Sequence, residues 1–135
     1  MANYYGNART NYFRVKDPEA FKVWAEEAGL EVWEGRDQQT GMFALGPNKF
    51  SDSGTLDWDH EKDEPRYLMD ELAPHLEDGS ICVTMEAGAE KLRYIVGRSV
   101  AFNNKGEYVV VDISDIYERA KEKFGADAVI TYCEY

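Results

Sequence analysis

The chain has 135 residues, of which 44% are hydrophobic and 30% charged, so it is long and apolar enough to fold around its own core. Its 26 acidic side chains outnumber 15 basic ones, which gives a formal net charge of −11. Such a charge repels nucleic acid and anionic membranes at long range and favours cationic partners. The composition therefore argues against an acidic disordered tail and against direct binding of nucleic acid.

Three features of the sequence predict a cytoplasmic location. The first residues, MANYYGNARTNYF, lack the apolar stretch of a secretory signal. No run approaches the roughly 18 apolar residues that a membrane-spanning helix needs. Cys82 and Cys133 lie in apolar, strand-like runs, so we expect both thiols to be buried and reduced.

The start of the chain predicts a loose arm, a strand and a helix. Residues 1–10 are small, polar and aromatic, which is typical of a loose N-terminal arm. Residues 11–16 alternate polar and apolar side chains, as a strand with one buried face does. Asp17 followed by Pro18 then marks the beginning of a helix, and Gly29 marks its end.

The middle of the chain predicts a hairpin, a long loop and a second helix. The hairpin consists of residues 30–35 and 42–46, which are joined by a polar turn. Residues 46–64 contain few apolar anchors and many carboxylates, and they predict a long acidic loop. The helix is expected to begin at Pro65 and to end or kink at Pro74.

The last third predicts three strands, a helix and a final strand. The three strands lie at residues 80–87, 92–102 and 107–113, and the turn between the last two contains the sequence NNKG. Ser114 or Asp115 caps the helix, whose inner face is expected to comprise Ile116, Tyr117, Ala120 and Phe124. Residues 128–134 predict the final strand, at or near an edge of the sheet.

Together these elements predict one α+β domain that spans residues 1–135. The expected order is βαββ-α-βββ-α-β, with about seven strands and three helices. Because hairpins dominate, the sheet should be mostly antiparallel. The first and last helices each lie between strands, so we expect them to pack on one face of the sheet.

The acidic run TLDWDHEKDEP partly matches the ligand spacing of a calcium-binding loop. Asp57, Asp59 and Glu61 have the alternating spacing of the first ligands of a calcium loop. Such a loop needs Gly at its sixth position and Glu at its twelfth, where this chain has Lys62 and Leu68. The spacing leaves open a weak, non-specific cation site, and we predict no dedicated metal site.

No pattern in the sequence predicts a catalytic site or a cofactor. His60 and His75 are far apart, and the two cysteines lack the paired spacing of a zinc site. No serine lies in a nucleophile elbow, and no glycine-rich loop carries the Lys-Ser/Thr pair that binds phosphate. We therefore predict a protein that is not an enzyme and that uses neither a cofactor nor a metal.

The excess of negative charge is concentrated in one part of the chain. Residues 51–78 hold ten acidic and two basic side chains, whereas the rest holds sixteen acidic and thirteen basic ones. Duplex DNA carries one negative charge per about 1.7 Å of axis, a density that such a run of carboxylates approaches. Trp58, Tyr67 and Met69 are candidate apolar anchors of an interface, and the alternative for Trp58 is to pin the loop to the core. The predicted partner-binding residues are Asp52, Asp57, Trp58, Asp59, Glu61, Asp63, Glu64, Tyr67, Asp70 and Glu71.

Two stretches of the chain resemble small acidic proteins of phages and mobile elements. They are TNYFRVKDPEAFKVWAEEAGLEVW, from Thr10 to Trp33, and MEAGAEKLRYIVGRSVAFNNKGEYVVVDISDIY, from Met85 to Tyr117, and they cover less than half of the chain. Proteins of that kind with an assigned role often counter host defence, and they include anti-restriction and anti-CRISPR proteins. Several of these inhibitors are acidic and imitate the charge of DNA, so the resemblance implies an anti-defence function.

The sequence thus predicts a non-enzymatic, protein-binding inhibitor of phage or mobile-element origin. Its acidic surface is expected to block a basic host protein, a nucleic-acid-binding component of a defence system, in the host cytoplasm and away from membranes. One alternative is a small cytosolic structural or interaction module that dimerises through an edge strand. Another is a small-ligand binder or enzyme, which a deep pocket with convergent polar groups would indicate.

Overall fold

The computed structural model describes residues 4–48, 54–59, 62–90 and 94–133, in which three helices are interspersed among runs of strands. The strands are β1 (Tyr4–Thr10), β2 (Leu30–Glu34), β3 (Phe43–Asn48), β4 (Trp58–Asp59), β5 (Glu64–Pro65), β6 (Cys82–Glu90), β7 (Tyr94–Phe102) and β8 (Tyr108–Asp112). The helices are α1 (Pro18–Glu27), α2 (Leu68–Leu72) and α3 (Ile116–Phe124). Short 3₁₀ turns lie at Asp37–Gln39, Ala73–His75 and Ile113–Asp115. The predicted α+β class with three helices is confirmed.

The strands form three antiparallel sheets instead of one sheet of about seven strands. The main sheet has the order β1-β6-β7-β8, while β2 with β3 and β4 with β5 form two small hairpins. The predicted NNKG turn joins β7 to β8: the Asn103 carboxamide oxygen accepts from the backbone N–H groups of Lys105 and Glu107 at 3.0 and 3.1 Å. The pairings of all three sheets are antiparallel, so this part of the prediction is confirmed.

The predicted loose N-terminal arm is wrong for residues 4–10, which form the edge strand β1. This strand pairs with β6 without interruption as far as Thr10, which lies opposite Thr84. Ala8 and Thr10 are buried on the side of the core. The hydrophobic pattern does not reveal the strand because its buried side chains are small or polar, and backbone hydrogen bonds to β6 hold it in place.

Residues 11–16 form an extended connection between the sheets and not the predicted strand. Phe13 and Val15 are buried, as the alternating pattern predicts. The backbone of Phe13 exchanges two hydrogen bonds of 2.8 Å with Phe43 of β3, and Val15 pairs with Leu76 beyond α2. Because the partner changes within two residues, no continuous ladder forms.

Helix α1 begins where the sequence predicts. The Asp17 carboxylate accepts from the backbone N–H groups of Glu19 and Ala20 at 3.1 and 3.2 Å, which caps the helix. Phe21 is fully buried and packs edge-on against Phe13, with 5.7 Å between ring centroids. The helix thus covers the inner side of the β2–β3 hairpin and the extended connection, where the aromatic centre of the core lies.

Three predictions for the C-terminal region are wrong. Helix α3 has no buried residue, so its predicted inner face does not pack on the sheet, and residues 128–133 form no strand. Strand β8 is therefore the edge of the main sheet. Cys133 is exposed, whereas Cys82 is buried as predicted. An apolar pattern shows which side chains favour burial, but it does not show whether their own chain supplies the surface that covers them.

Thr10 joins β1 to β3 through its hydroxyl group, which accepts from the Leu45 N–H at 2.8 Å and donates to the Asn11 carbonyl at 2.8 Å. Thr10→Val keeps the shape of the side chain but leaves the buried Leu45 N–H unpaired. We expect the free energy of unfolding to fall by about 1–3 kcal/mol, measured by urea denaturation with an unchanged slope. Thr10→Ser keeps the hydroxyl group, so its free energy of unfolding should fall less than that of Thr10→Val. Equal stability of Thr10→Val and the wild type would contradict this role.

The two cysteines should differ in reactivity. Burial raises the pKa of the Cys82 thiol, so this thiol stays protonated and out of reach of reagents, while Cys133 is exposed. At about pH 8 we expect iodoacetamide to alkylate Cys133 alone in the native protein, and Cys82 only after unfolding in urea. Peptide mass spectrometry measures both sites. Alkylation of the two cysteines at equal rates in the native protein would be incompatible with this core.

Candidate functional site

The described parts of the acidic segment (residues 51–78) are 54–59 and 62–78, and a few side chains hold them against the main sheet. Leu56 is 3% exposed and belongs to the hydrophobic core. The Thr55 hydroxyl donates to the Glu86 carboxylate of β6 at 2.7 Å. Gly54 has a φ of +70° and lies so close to the β1 backbone that an added Cβ would overlap it. The described part of the segment therefore follows the surface of the sheet.

Asp57 positions the second helix. Its carboxylate accepts from the backbone N–H of Leu68 at 3.3 Å, and its carbonyl accepts from the N–H of Arg66 at 3.0 Å. Because Pro65 pairs with Trp58 in the β4–β5 hairpin, α2 begins at Leu68 and not at Pro65 as the sequence predicts. One predicted contact residue thus also stabilises the structure that presents the others.

Arg66 is a buried cation within the acidic segment, with 5% of its surface exposed. Its Nη1 donates to the Ala28 carbonyl at the end of α1 at 3.1 Å, and its Nη2 donates to the Trp58 carbonyl at 2.8 Å. Its Nε has no hydrogen-bond partner among the described residues. The carbonyl at a helix C-terminus carries partial negative charge, which stabilises a guanidinium there. Arg66 therefore joins α1 to β4 from inside the protein.

Half of the predicted partner-binding residues line one hollow of about 320 Å³, which Lys62 and the largely buried Arg66 also border. Tyr67 is 73% exposed there, and Glu71 accepts a hydrogen bond of 3.2 Å from the indole N–H of Trp24 on α1. The predicted residues around this hollow are Asp59, Glu64, Tyr67, Asp70 and Glu71. The fold thus gathers carboxylates from β4, β5 and α2 around an exposed aromatic ring.

The other predicted residues lie apart from this hollow. Asp57 borders a second, more apolar hollow of about 210 Å³ between α2 and the main sheet. Trp58 is half-buried in β4, and Asp63 is exposed in the β4–β5 turn with a φ of +53°. Asp52 and Glu61 lie outside the described residues.

Helix α1 extends the acidic surface, which the sequence analysis missed. The Trp24–Glu71 hydrogen bond and the contact of Arg66 with the helix end hold α1 beside α2 and β4. Glu26 and Glu27 are exposed in the last turn of α1. The signal in the sequence was the Glu-Glu pair at the end of a predicted helix, together with a single arginine in an otherwise acidic run.

Two ion pairs are seen in the described parts of the chain, and neither involves a carboxylate of the acidic segment. The ion pairs recorded there join Lys22 to Glu34 at 3.2 Å and Lys121 to Glu118 at 4.0 Å, and both lie outside the segment. Groups of three or more His, Cys, Asp or Glu side chains suited to a metal ion are not found in the ranges 4–48, 54–59, 62–90 and 94–133. The arrangement suits cationic groups of a macromolecular partner, which can face several separate carboxylates at once.

A larger groove of about 1160 Å³ follows β2 and lies outside the acidic segment. Its charged lining is mixed, with four carboxylates and the cations Lys22 and Arg36. Next to it the Arg9 guanidinium lies 4.9 Å from the Trp33 ring centroid, a cation–π contact. The four carboxylates are Glu26, Glu31, Glu34 and Asp37. Glu31, Glu34 and Asp37 provide acidic positions for comparison with the hollow at Tyr67.

No family model, curated protein or solved structure matches the chain. The resemblance of residues 10–33 and 85–117 to phage and mobile-element proteins stays a prediction. Within the described residues, no helix has the length and apolar character needed to cross a membrane. Function is therefore inferred from the geometry of the acidic segment.

Arg66→Met should loosen the acidic segment, because the Ala28 and Trp58 carbonyls would lose their side-chain donors. We expect a loss of about 1–3 kcal/mol in the free energy of unfolding and faster hydrogen exchange in residues 57–66. Lys62→Met is the matched control, since it removes one exposed cation from the same segment and should cost less than about 0.5 kcal/mol. Equal effects of the two substitutions would contradict the structural role of Arg66.

Proposed function

We propose that this protein is a non-enzymatic inhibitor that binds another protein through its acidic surface. The surface comprises the hollow at Tyr67 with its carboxylates. The proposed partner is a basic, nucleic-acid-binding protein of a host defence system, and this protein occupies the groove in which that partner holds nucleic acid. The type of target and the phage or mobile-element origin follow from the resemblance of residues 10–33 and 85–117, while the manner of binding follows from the acidic surface.

The observation that carries the proposal is the burial of Arg66. A cation within an acidic run would ordinarily neutralise neighbouring carboxylates on the surface. Here the guanidinium donates to two backbone carbonyls inside the protein, at 2.8 and 3.1 Å. The carboxylates of Glu64, Asp70 and Glu71 therefore face solvent, and a partner with exposed Lys and Arg side chains can pair with them.

A second support is that the surface is largely preformed. Leu56 is buried in the core, Thr55 is bonded to β6 and Asp57 caps α2. Fewer degrees of freedom are lost on binding when the contact surface is already ordered, so more of the interaction energy appears as affinity. A flexible acidic tail of equal charge would bind less tightly for this reason.

The exposed Tyr67 gives this surface an apolar anchor at its centre. Tyrosine is enriched among the residues that contribute most to interface affinity, because its ring buries a large area and its hydroxyl forms a hydrogen bond. Its neighbour Met69 packs against the core and holds the start of α2 in place. An aromatic ring surrounded by carboxylates fits a surface of Arg and Lys side chains, since cations stack on aromatic faces.

The proposal is tested by neutralising three carboxylates of the hollow together with Asp63 in the adjoining β4–β5 turn. In one variant Asp63→Asn, Glu64→Gln, Asp70→Asn and Glu71→Gln change the net charge from −11 to −7 without altering the size of the side chains. Host proteins captured on the wild type are then tested one by one for nucleic-acid binding and for displacement of that nucleic acid. We expect this variant to bind the captured partner about tenfold or more weakly, with a smaller dependence on salt.

A matched control removes the same charge elsewhere. It carries the substitutions Glu19→Gln, Glu31→Gln, Glu34→Gln and Asp37→Asn, which also give a net charge of −7, and it should bind within about twofold of the wild type. Equal weakening of both variants would mean that total charge and not the hollow determines binding. Capture of no nucleic-acid-binding protein, or unchanged binding by the hollow variant, would refute the proposal.

A further inference from the structure

Large apolar side chains are exposed on one face of the main sheet and along the C-terminal part of the chain. Phe124, the last residue of α3, is 73% exposed. The sheet face presents Met85, Val109, Val111 and Ile113, and the C-terminal part presents Ile116, Phe124, Val129 and Tyr132. Contiguous apolar patches of this kind on a soluble protein generally mark a contact surface.

The sheet face contains a groove of about 410 Å³ with a floor of small residues. Ala87 of β6 lies opposite Gly97 of β7, and both line the groove between the larger Met85 and Val111. Ile113 closes one end, because its Cγ2 atom would lie 2.7 Å from a Cβ built on Gly97. A shallow apolar channel with a narrow floor has the shape that receives a ridge of side chains from a helix.

Helix α3 has such a ridge and lacks a surface to cover it. Its apolar residues Ile116, Ala120 and Phe124 are spaced four apart and therefore share one side. The chain after α3 follows the helix, since the Tyr117 hydroxyl accepts from the Cys133 N–H at 2.8 Å and the ring of Tyr132 contacts that of Tyr117. A helix of only nine residues is marginal in water and depends on packing of its apolar side.

We infer that a second copy of this chain covers both surfaces: α3 and the residues after it occupy the sheet groove of the partner copy, and the partner does the same in return. Each copy supplies one ridge and one groove, so a two-fold axis satisfies both contacts at once. Each of the eight exposed apolar side chains can bury on the order of 100 Å² of accessible surface. Together they provide the roughly 800 Å² per partner that a stable interface buries.

The distribution of charge favours the same occupant. Two copies with a net charge of −11 each repel one another, so a self-contact requires a part of the surface where acidic residues do not prevail. Helix α3 has three basic and two acidic side chains, and Arg9 lies on the groove face of the sheet, whereas the Glu86 and Arg98 side chains point to the opposite face. The contact uses a strand face and a helix, and it differs from pairing of edge strands. It does not depend on the proposed inhibitor function.

The test uses the full-length protein and two substitutions at exposed positions, Phe124→Glu on the helix and Val111→Lys in the groove. By sedimentation velocity at micromolar concentration, we expect the wild type to have twice the 15.4 kDa mass of one chain. Each variant alone should be monomeric, or its dimer should dissociate at a protein concentration about tenfold or more higher than that of the wild type. The reason is that a charged side chain replaces an apolar one in both contacts of the dimer.

Mixing the two variants separates exchange between copies from closure within one copy. In a mixed dimer the native helix of the Val111→Lys copy occupies the native groove of the Phe124→Glu copy. In the other contact the introduced Glu faces the introduced Lys, so mixing should restore the mass of a dimer. The control Val23→Glu places the same charge on an exposed apolar site of α1 and should leave the dimer intact. A monomeric wild type at about 100 µM, a dimer that neither variant weakens, or no recovery on mixing would overturn the inference.

Discussion

The fold depends on the extended stretch from Thr10 to Val15, which joins the main sheet, the β2–β3 hairpin and the turn after α2. Asn11 exchanges hydrogen bonds with Val83 of β6 at 2.7 and 3.0 Å, so this end belongs to the main sheet. Two residues later Phe13 bonds to β3, and Val15 pairs with Leu76, which follows the 3₁₀ turn after α2. Because one short segment has three different partners, the sheet, the hairpin and α2 take fixed positions around the ring of Phe21.

The position of the acidic surface follows from these contacts. Phe21 holds α1 against the core, and Val15 holds the turn that follows α2. The end of α1 therefore lies beside the start of α2, where the Arg66 guanidinium donates to the Ala28 carbonyl at 3.1 Å. Burial of a guanidinium is costly unless its donors are satisfied, and here two carbonyls and the surrounding negative charge reduce that cost. The same contact removes the cation from the surface. The order of this segment and the burial of its arginine therefore have one cause.

Local signals in the sequence predicted the elements that local interactions hold. The Asp17-Pro18 pair specifies the start of α1, and the NNKG turn specifies the β7–β8 hairpin, because each acts through its own side chain and backbone. Strand β1 could not be predicted in this way, since β6 holds it over a separation of about 80 residues and its buried side chains are Ala8 and Thr10.

The candidate site was predictable as a concentration of charge and not as a shape. The count of acidic residues in 51–78 locates the segment, and Tyr67 is exposed as an anchor should be. Leu56 contacts the core and Arg66 contacts the end of α1. The spacing of residues within the segment does not indicate contacts with other parts of the chain, so these two roles could not be predicted. Residue types alone also did not indicate that Asp57 would cap α2 from eleven positions away.

Partner binding is proposed to use charged side chains, and self-association is proposed to use apolar ones. Added salt should therefore weaken the first contact and strengthen the second. The Debye length falls from about 10 Å at 0.1 M salt to about 3 Å at 1 M. Screening weakens the attraction between the hollow at Tyr67 and a basic partner, but it also weakens the repulsion between two chains of net charge −11. Burial of apolar groove and helix surface persists under these conditions. Self-association that strengthens as partner binding weakens would show that the protein uses two independent surfaces, one electrostatic and one hydrophobic.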